Sequence, residues 1–300
     1  MSAAIEISDE NLTRAGGRRY IAEREKDKKQ IFFDQALGKW LDLKETWRNP
    51  QTDFQFSTNV VNTKKALIIT PYANKRGALS LLTGSEEEAD IAEKRLKEAN
   101  FQVDRIQDFS IQNLLDRDLG SYGVIFFSSH GSLYSYRDFQ DMESSNSKTL
   151  DSILWANETV TIDSILKYRN QVLNLTLVVG QTGSGSSDFC ISPSFIRKYS
   201  TNQNSNSIIY LGTCYSMANN SLADAFNSIG AGAVFGYTGV VGDDWAAQHG
   251  KGLFNVLSTG RTVAQVPFVG NYEYAATGTR FARKVYGTNI DNLALIGKSS

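Results

Sequence analysis

Two cysteines and two histidines are all that this 300-residue chain carries of the side chains most used for disulfides and for zinc. Two cysteines do not make a disulfide framework. That fits a reducing compartment, or a secreted domain that does without bridges. A zinc site of the usual ligand set would consume nearly all four residues, so metal catalysis is not expected and no cofactor is called for. Excess charge of one sign is lacking too. The chain has 31 Lys and Arg against 32 Asp and Glu, a net −1, which removes the global attraction that nucleic acid or an anionic membrane would need. No apolar run reaches the length of a membrane span, and Met1 to Glu10 has neither the basic start nor the apolar stretch of a secretory signal. The compartment expected from the chain as given is cytoplasmic, or extracellular if an upstream signal has been removed.

What is present is enough for a large core, with 41% hydrophobic and 21% charged residues. Arg18 to Gln30 is rich in interleaved charges and Ile31 to Trp47 has apolar residues at mixed helical spacing. Residues 1–63 are therefore read as an N-terminal helical segment that precedes a main domain over 64–300. In that domain short apolar runs alternate with helical patterns. Lys65–Thr70, Phe101–Asp104, Tyr122–Ser128, Leu173–Gly180, Ser207–Gly212 and Ala231–Tyr237 read as strands, and Leu293–Ile296 as a last one. Ser85 with Glu88 suggests a capping box for a helix running to about Asn100. The alternation predicts an α/β fold: a three-layer α/β/α sandwich around a mostly parallel sheet. Ser144–Thr149 and Asn202–Ser207 read as polar loops, and Gln181–Asp188 as a mobile one.

The chemistry gathers at two strand ends. Ser207-Ile-Ile-Tyr-Leu-Gly-Thr-Cys214 reads as a buried strand that delivers Cys214 to the C-terminal edge of the sheet, where open α/β sheets bind their ligands. A polar cap, Asn219-Asn-Ser221, then opens a helix that ends near Gly230. Another buried-looking strand is directly followed by His130. Two parallel strands ending level would hold an imidazole and a thiol over one cleft. A thiolate is a strong nucleophile that a neighbouring imidazole helps create. The amides of Gly131 and Cys214 are the candidate oxyanion donors, the glycine allowing close approach of a substrate.

At these residues the chain resembles the caspase-like cysteine peptidases, a group that includes caspases, legumains, clostripain, gingipains and CHAT domains. Phe126-Phe-Ser-Ser-His-Gly131 resembles their histidine motif. Ile208 to Cys214, Leu222 to Phe226 and Gly230 to Gly236 resemble their cysteine motif and its continuation. The gingipain-type branch is the nearest, with Tyr237-Thr238, Asp243-Asp244-Trp245 and Gly250 at comparable positions. The likeness is motif-level, covers about residues 64–300, and implies a thiol endopeptidase acting on protein or peptide through a Cys214–His130 dyad. By the same analogy Ser128 and Gly212, both small, would line the S1 pocket and Trp245 would wall it. The chain departs from clostripain in having Gly212 where those enzymes carry an acid, so a preference for basic residues would have to come from Asp243 or Asp244. A module of this architecture that binds a regulatory partner, or stays latent until one arrives, is the competing reading, and acyl transfer rather than hydrolysis a third.

Other signals carry less. Gly180-Gln-Thr-Gly-Ser-Gly185 lacks the lysine of a phosphate-binding loop, and Gly297-Lys-Ser lies too near the end of the chain. Cys190 is expected to be an inert or surface thiol, and His249 a helix residue on the surface or in a groove rather than the base.

Overall fold

The structure, a computed structural model, describes residues 59–296 apart from 75–76, 107, 136–149, 184, 201–205, 268, 270–272, 275 and 288–291, together with three strands nearer the N-terminus. Those three, β1 (Arg19–Arg24), β2 (Lys29–Asp34) and β3 (Lys39–Asp42), form an antiparallel meander with Tyr20 opposite Phe33 and Phe32 opposite Leu41. The helical segment expected here is thus corrected to strands wherever residues 1–58 are described. The physical reason lies in the runs Tyr-Ile, Ile-Phe-Phe and Trp-Leu. They favour a pleated surface over a helix face.

The main sheet begins with β4 (Lys65–Ile69). Helix α1 (Thr83–Glu98) leads to β5 (Gln102–Ile106), and helix α2 (Ile111–Leu115) to β6 (Val124–Ser128). A second sheet follows. It consists of β7 (Gly131–Ser135), β8 (Leu150–Thr159), β9 (Leu177–Gln181) and β10 (Ser187–Ile191), with α3 (Ile162–Lys167) and α4 (Arg169–Leu173) between β8 and β9. After α5 (Pro193–Tyr199) the chain re-enters the main sheet as β11 (Ser207–Gly212). Helix α6 (Ser221–Ser228), β12 (Ala231–Tyr237), α7 (Asp243–Leu257), β13 (Glu273–Tyr274) and β14 (Thr279–Val285) complete it.

The protein is therefore α/β with a mixed, mostly parallel sheet in the order β13-β14-β12-β11-β6-β4-β5, in which β12 to β5 are parallel and β14 antiparallel. Alternate side chains divide between two apolar clusters, because neighbours along a strand point to opposite faces. Ala66, Ile68, Val124 and Phe126 join Ala92 and Leu96 of α1 and Leu253 and Phe254 of α7. Leu67, Ile69, Ile125 and Phe127 join Leu114 of α2, Phe195 of α5 and Phe226 of α6. Lys65–Thr70 and the strand runs ending at Ser128, Gly212 and Tyr237 were legible because burial on both faces makes them continuous apolar runs.

Other expectations changed. The sheet β7-β8-β10-β9 is antiparallel throughout, and the stretch read as a mobile loop after Gly180 is the turn of the β9–β10 hairpin. Leu293–Ile296 contributes only bridges, with Ala294 beside Val60 and Thr262. Those bridges also bring Asn59–Val61 onto the main body, ahead of the expected boundary at 63. The capping box of α1 does not form. Ser85 lies within the helix and donates to Leu82 O (2.8 Å), while Glu88 turns toward the sheet. The loops at Ser144–Thr149 and Asn202–Ser205 and the segment Met1–Glu10 lie outside the described residues. Among the described residues no helix is long and apolar enough to cross a membrane.

Phe254 of α7 is fully buried, its ring 5.8 Å from that of Phe126 and 6.2 Å from that of Tyr210. Phe254→Ala is expected to cost about 3–5 kcal/mol of stability through lost burial and a residual cavity. Urea unfolding of the two proteins measures it.

Candidate active site

Strands β6 and β11 are neighbours, parallel and in register, with Ser128 opposite Gly212. The chain holds that register for one more step, Ser129 N donating to Gly212 O (3.3 Å). His130 and Cys214 each stand two residues beyond this matched pair. They therefore emerge at the same rim of the sheet, from adjacent strands. The residue after the histidine packs on the backbone of Cys214: a Cβ built on Gly131 would lie 2.1 Å from Cys214 O and 3.0 Å from Thr213 Cβ. Only glycine fits there, so the residue after the histidine is fixed by the backbone that carries the sulfur.

The nucleophile candidate sits in a tight turn. Tyr215, next in the chain, has φ 58°, a left-handed conformation that is uncommon for a bulky side chain. It is held at both ends, its N–H donating to Gly239 O (2.9 Å) and its carbonyl accepting from Ser152 Oγ (2.7 Å). Strain kept in place by surrounding structure is a recurring mark of functional turns. Asn219 then organises the start of α6, its Oδ1 accepting from Ser221 N (2.9 Å). The Cys214 sulfur lies against Val241, 3.4 Å from its N–H and 3.6 Å from its carbonyl. Burial raises the thiol above its ordinary pKa, and the Val241 amide offsets part of that rise.

His130 is oriented from the other side. Its Nε2 lies 2.9 Å from Ser80 O. A carbonyl can only accept, so Nε2 carries the hydrogen and Nδ1 is left as the basic nitrogen. The ring meets Tyr72 edge-on with centroids 4.7 Å apart. Burial lowers the imidazole pKa, and the Ser80 carbonyl and the Asp243 and Asp188 carboxylates pull it partly back. The base candidate is thus neutral at neutral pH.

The amide of Gly131 is available for another acceptor. Trp155 N donates to His130 O (3.0 Å), which makes Gly131–Leu154 the non-hydrogen-bonded pair of the β7–β8 ladder. The Gly131 N–H therefore points away from β8.

The residues expected to form a pocket are distributed differently. Ser128 is 3% exposed and donates from Oγ to Glu88 Oε2 (3.0 Å), while Gly212 is buried against it. Both lie beneath the rim and present no side chain to solvent. Asp243 opens α7 and accepts from Gly84 N (2.7 Å), which satisfies an amide of the first turn of α1. Asp244 is exposed. Trp245 is partly buried in an aromatic group, its ring centroid 3.9 Å from His249, 5.8 Å from Tyr237 and 5.4 Å from Tyr274. His249 is buried rather than on the surface, and burial takes its pKa down to about 4. Cys190 is a wholly buried thiol within β10, pushed well above its ordinary pKa by burial, and not a surface one.

Three residues of this region were not singled out from the sequence. Tyr72 and Asp188 flank the histidine, and Glu88 lies below it. Only Glu88 had a signal, as the third residue of an apparent capping box, and that signal pointed elsewhere. No protein-family model matches this chain, and no curated protein matches it either.

Glu88 is almost wholly buried, and its Oε1 has no hydrogen-bond partner among the described residues. Burial raises its pKa from 4.5 to about 8, the Tyr210 and Ser128 hydroxyls offsetting part of the rise. The folded protein thus keeps a proton that the unfolded chain releases, so stability falls as pH rises from about 4.5 to about 8. Glu88→Gln is expected to flatten that fall, with a gain at pH 8 on the order of a few kcal/mol, measured by denaturant titrations at several pH values. Gly131→Ala is expected to fold less stably and to slow alkylation of Cys214 by iodoacetamide, because the Cys214 carbonyl must move to admit the methyl group.

Proposed function

We propose that this protein is a thiol endopeptidase of caspase-like architecture, closest to the gingipain-type branch, in which Cys214 is the nucleophile and His130 the proton carrier. The observation that carries the proposal is the in-register pairing of Ser128 with Gly212, which sets the imidazole and the sulfur on one rim. The helices lining the two faces of the sheet support the three-layer α/β/α arrangement that such enzymes have.

In the reaction, the Cys214 sulfur forms a bond to the scissile carbonyl carbon as its proton passes to His130 Nδ1. The oxygen takes the negative charge and is met by the N–H groups of Gly131 and Cys214. The C–N bond then breaks, and the imidazolium returns its proton to the leaving amine. Water attacks the thioester, the imidazole taking one proton, and the carboxylic acid leaves as the thiol is restored. Because burial keeps both groups neutral at rest, proton transfer accompanies attack and no standing ion pair is needed. Asp244, exposed on the first turn of α7 beside Trp245, is the carboxylate placed to meet a basic P1 residue. Asp243 sets the negative potential behind it. Trp245 provides the apolar wall.

One observation favours the second reading, a latent module awaiting a partner: the sulfur lies against the backbone of Val241 and Nε2 is engaged by Ser80. A peptidyl acyloxymethyl ketone separates the two. Stoichiometric labelling of Cys214 without any partner supports the enzyme, and absence of labelling the latent module.

Cys214→Ala is expected to abolish peptide hydrolysis with an unchanged circular dichroism spectrum, and His130→Ala to reduce kcat/KM about 10²–10⁴-fold. The acid limb of kcat/KM against pH should have its midpoint below 6.5, since burial lowers the imidazole. Undiminished hydrolysis by Cys214→Ala would refute the assignment. A panel of fluorogenic peptides with Leu or Asp preferred over Arg and Lys at P1 would remove the role given to Asp244.

A further inference from the structure

We infer that Asp188 is a positioning residue for His130, acting from the second sheet by tying down the parts of the loop after β4, residues 71–74 and 77–82, that grip the imidazole. The inference rests on the peptidase reading for its purpose, though not for its geometry.

The loop leaves the end of β4 and returns at α1, and it touches the histidine twice. Tyr72 near its start lays its ring edge-on against the imidazole, and Ser80 near its end accepts from Nε2. Leu82 N donates to Tyr72 O (2.9 Å), so the two ends are joined. What fixes this loop relative to the sheet is Asp188. Its Oδ2 accepts from Tyr72 Oη (2.7 Å) and from Ala78 N (2.6 Å), one partner near the start and one past the middle. Asn157 of β8 adds a bond to Pro71 O. The fit is close: a Cβ on Gly77 would lie 2.2 Å from Asn157 Oδ1 and 2.3 Å from Asp188 Oδ2, so the loop reaches the carboxylate only by having a glycine there.

A structural clamp alone does not call for a carboxylate. Asp188 is fully buried and its Oδ1 has no hydrogen-bond partner among the described residues. An amide or a hydroxyl could have accepted from Tyr72 at lower desolvation cost. The negative charge gains a purpose from what lies across the Tyr72 ring. An imidazole that must become imidazolium during the reaction is helped by an anion held nearby but out of contact. The charged and titratable groups facing His130 are Tyr72 from the loop, Asp243 from α7 and Asp188 from β10. Those facing Asp188 are Tyr72 and Cys190. Of the two carboxylates, only Asp188 is also bonded to the loop that holds the ring.

The test uses the full chain and the circumstance that it has only two histidines. Imidazole NMR titration of wild type, Asp188→Asn and Tyr72→Phe follows His130 directly, with His130→Ala supplying the assignment. Asp188→Asn keeps an acceptor for the loop and removes the charge. Tyr72→Phe keeps the ring and removes the tie. Both variants are expected to lower the His130 midpoint. Both should slow alkylation of Cys214 by iodoacetamide on the acid side about tenfold and, where hydrolysis is measured, reduce kcat about tenfold with KM little changed. The double variant should fall no further than the worse single one, as members of one chain of contacts do. An unchanged His130 midpoint and alkylation rate in a folded Asp188→Asn protein would overturn the inference. Should that variant fail to fold, the same result in Tyr72→Phe would overturn it. The NMR midpoint is read whether or not the protein cleaves peptides, so loss of the peptidase reading and loss of this inference are told apart.

Discussion

Backbone hydrogen bonding between β6 and β11 is the constraint from which the site follows. A parallel pair in fixed register transmits its alignment past its last paired residues, and here one further bond, Ser129 N to Gly212 O, continues it. The contact of Gly131 with the Cys214 carbonyl continues that alignment beyond the ladder. It makes the spacing of imidazole and sulfur a property of main-chain geometry rather than of side-chain packing. The surrounding elements then tune what the register has placed. Ser80 selects the tautomer, Val241 receives the sulfur, and burial keeps both groups neutral.

The α1–α7 side of the sheet carries a cluster of buried polar groups. Glu88, Ser128, Tyr210 and Tyr237 lie together beneath the rim, the two phenol oxygens 3.2 Å apart and each within hydrogen-bond distance of Ala246 O. Asp243 joins the first turns of α1 and α7. Such groups cost desolvation, and a cluster of them just below a proposed reaction centre marks a place where packing stability has been given up for a defined local geometry.

The sequence made the parallel strands legible because burial on both faces leaves a continuous apolar run. Cys214 and His130 stood out because each directly follows such a run. The second sheet was hidden for the complementary reason. Strands β7 and β10 are short, mix polar with apolar residues, and join through connections that read as loops. Glu88 was misplaced by reasoning from neighbours in sequence, and the partners of Ser128 and Asp243 lie far along the chain. Ser128 and Glu88 are 40 residues apart, and Gly84 and Asp243 are 159 apart. No local pattern encodes either pairing. The meander near the N-terminus was missed because dense charge outweighed the β-branched and aromatic runs between the charges.

The junction between the two sheets has a mechanical consequence. Ser129 and His130 are the whole of the link from β6 to β7, and they are bonded on both sides of it. Ser129 N reaches Gly212 in the main sheet, while Ser129 Oγ and His130 O are tied to Trp155 in the second. The turn that carries the sulfur is tied to the second sheet as well, Ser152 Oγ of β8 donating to Tyr215 O (2.7 Å), while the sulfur itself rests on Val241. Any tilt of the smaller sheet would therefore pull on the imidazole and on the turn beside the thiol together, so a load on β8 reaches both halves of the pair.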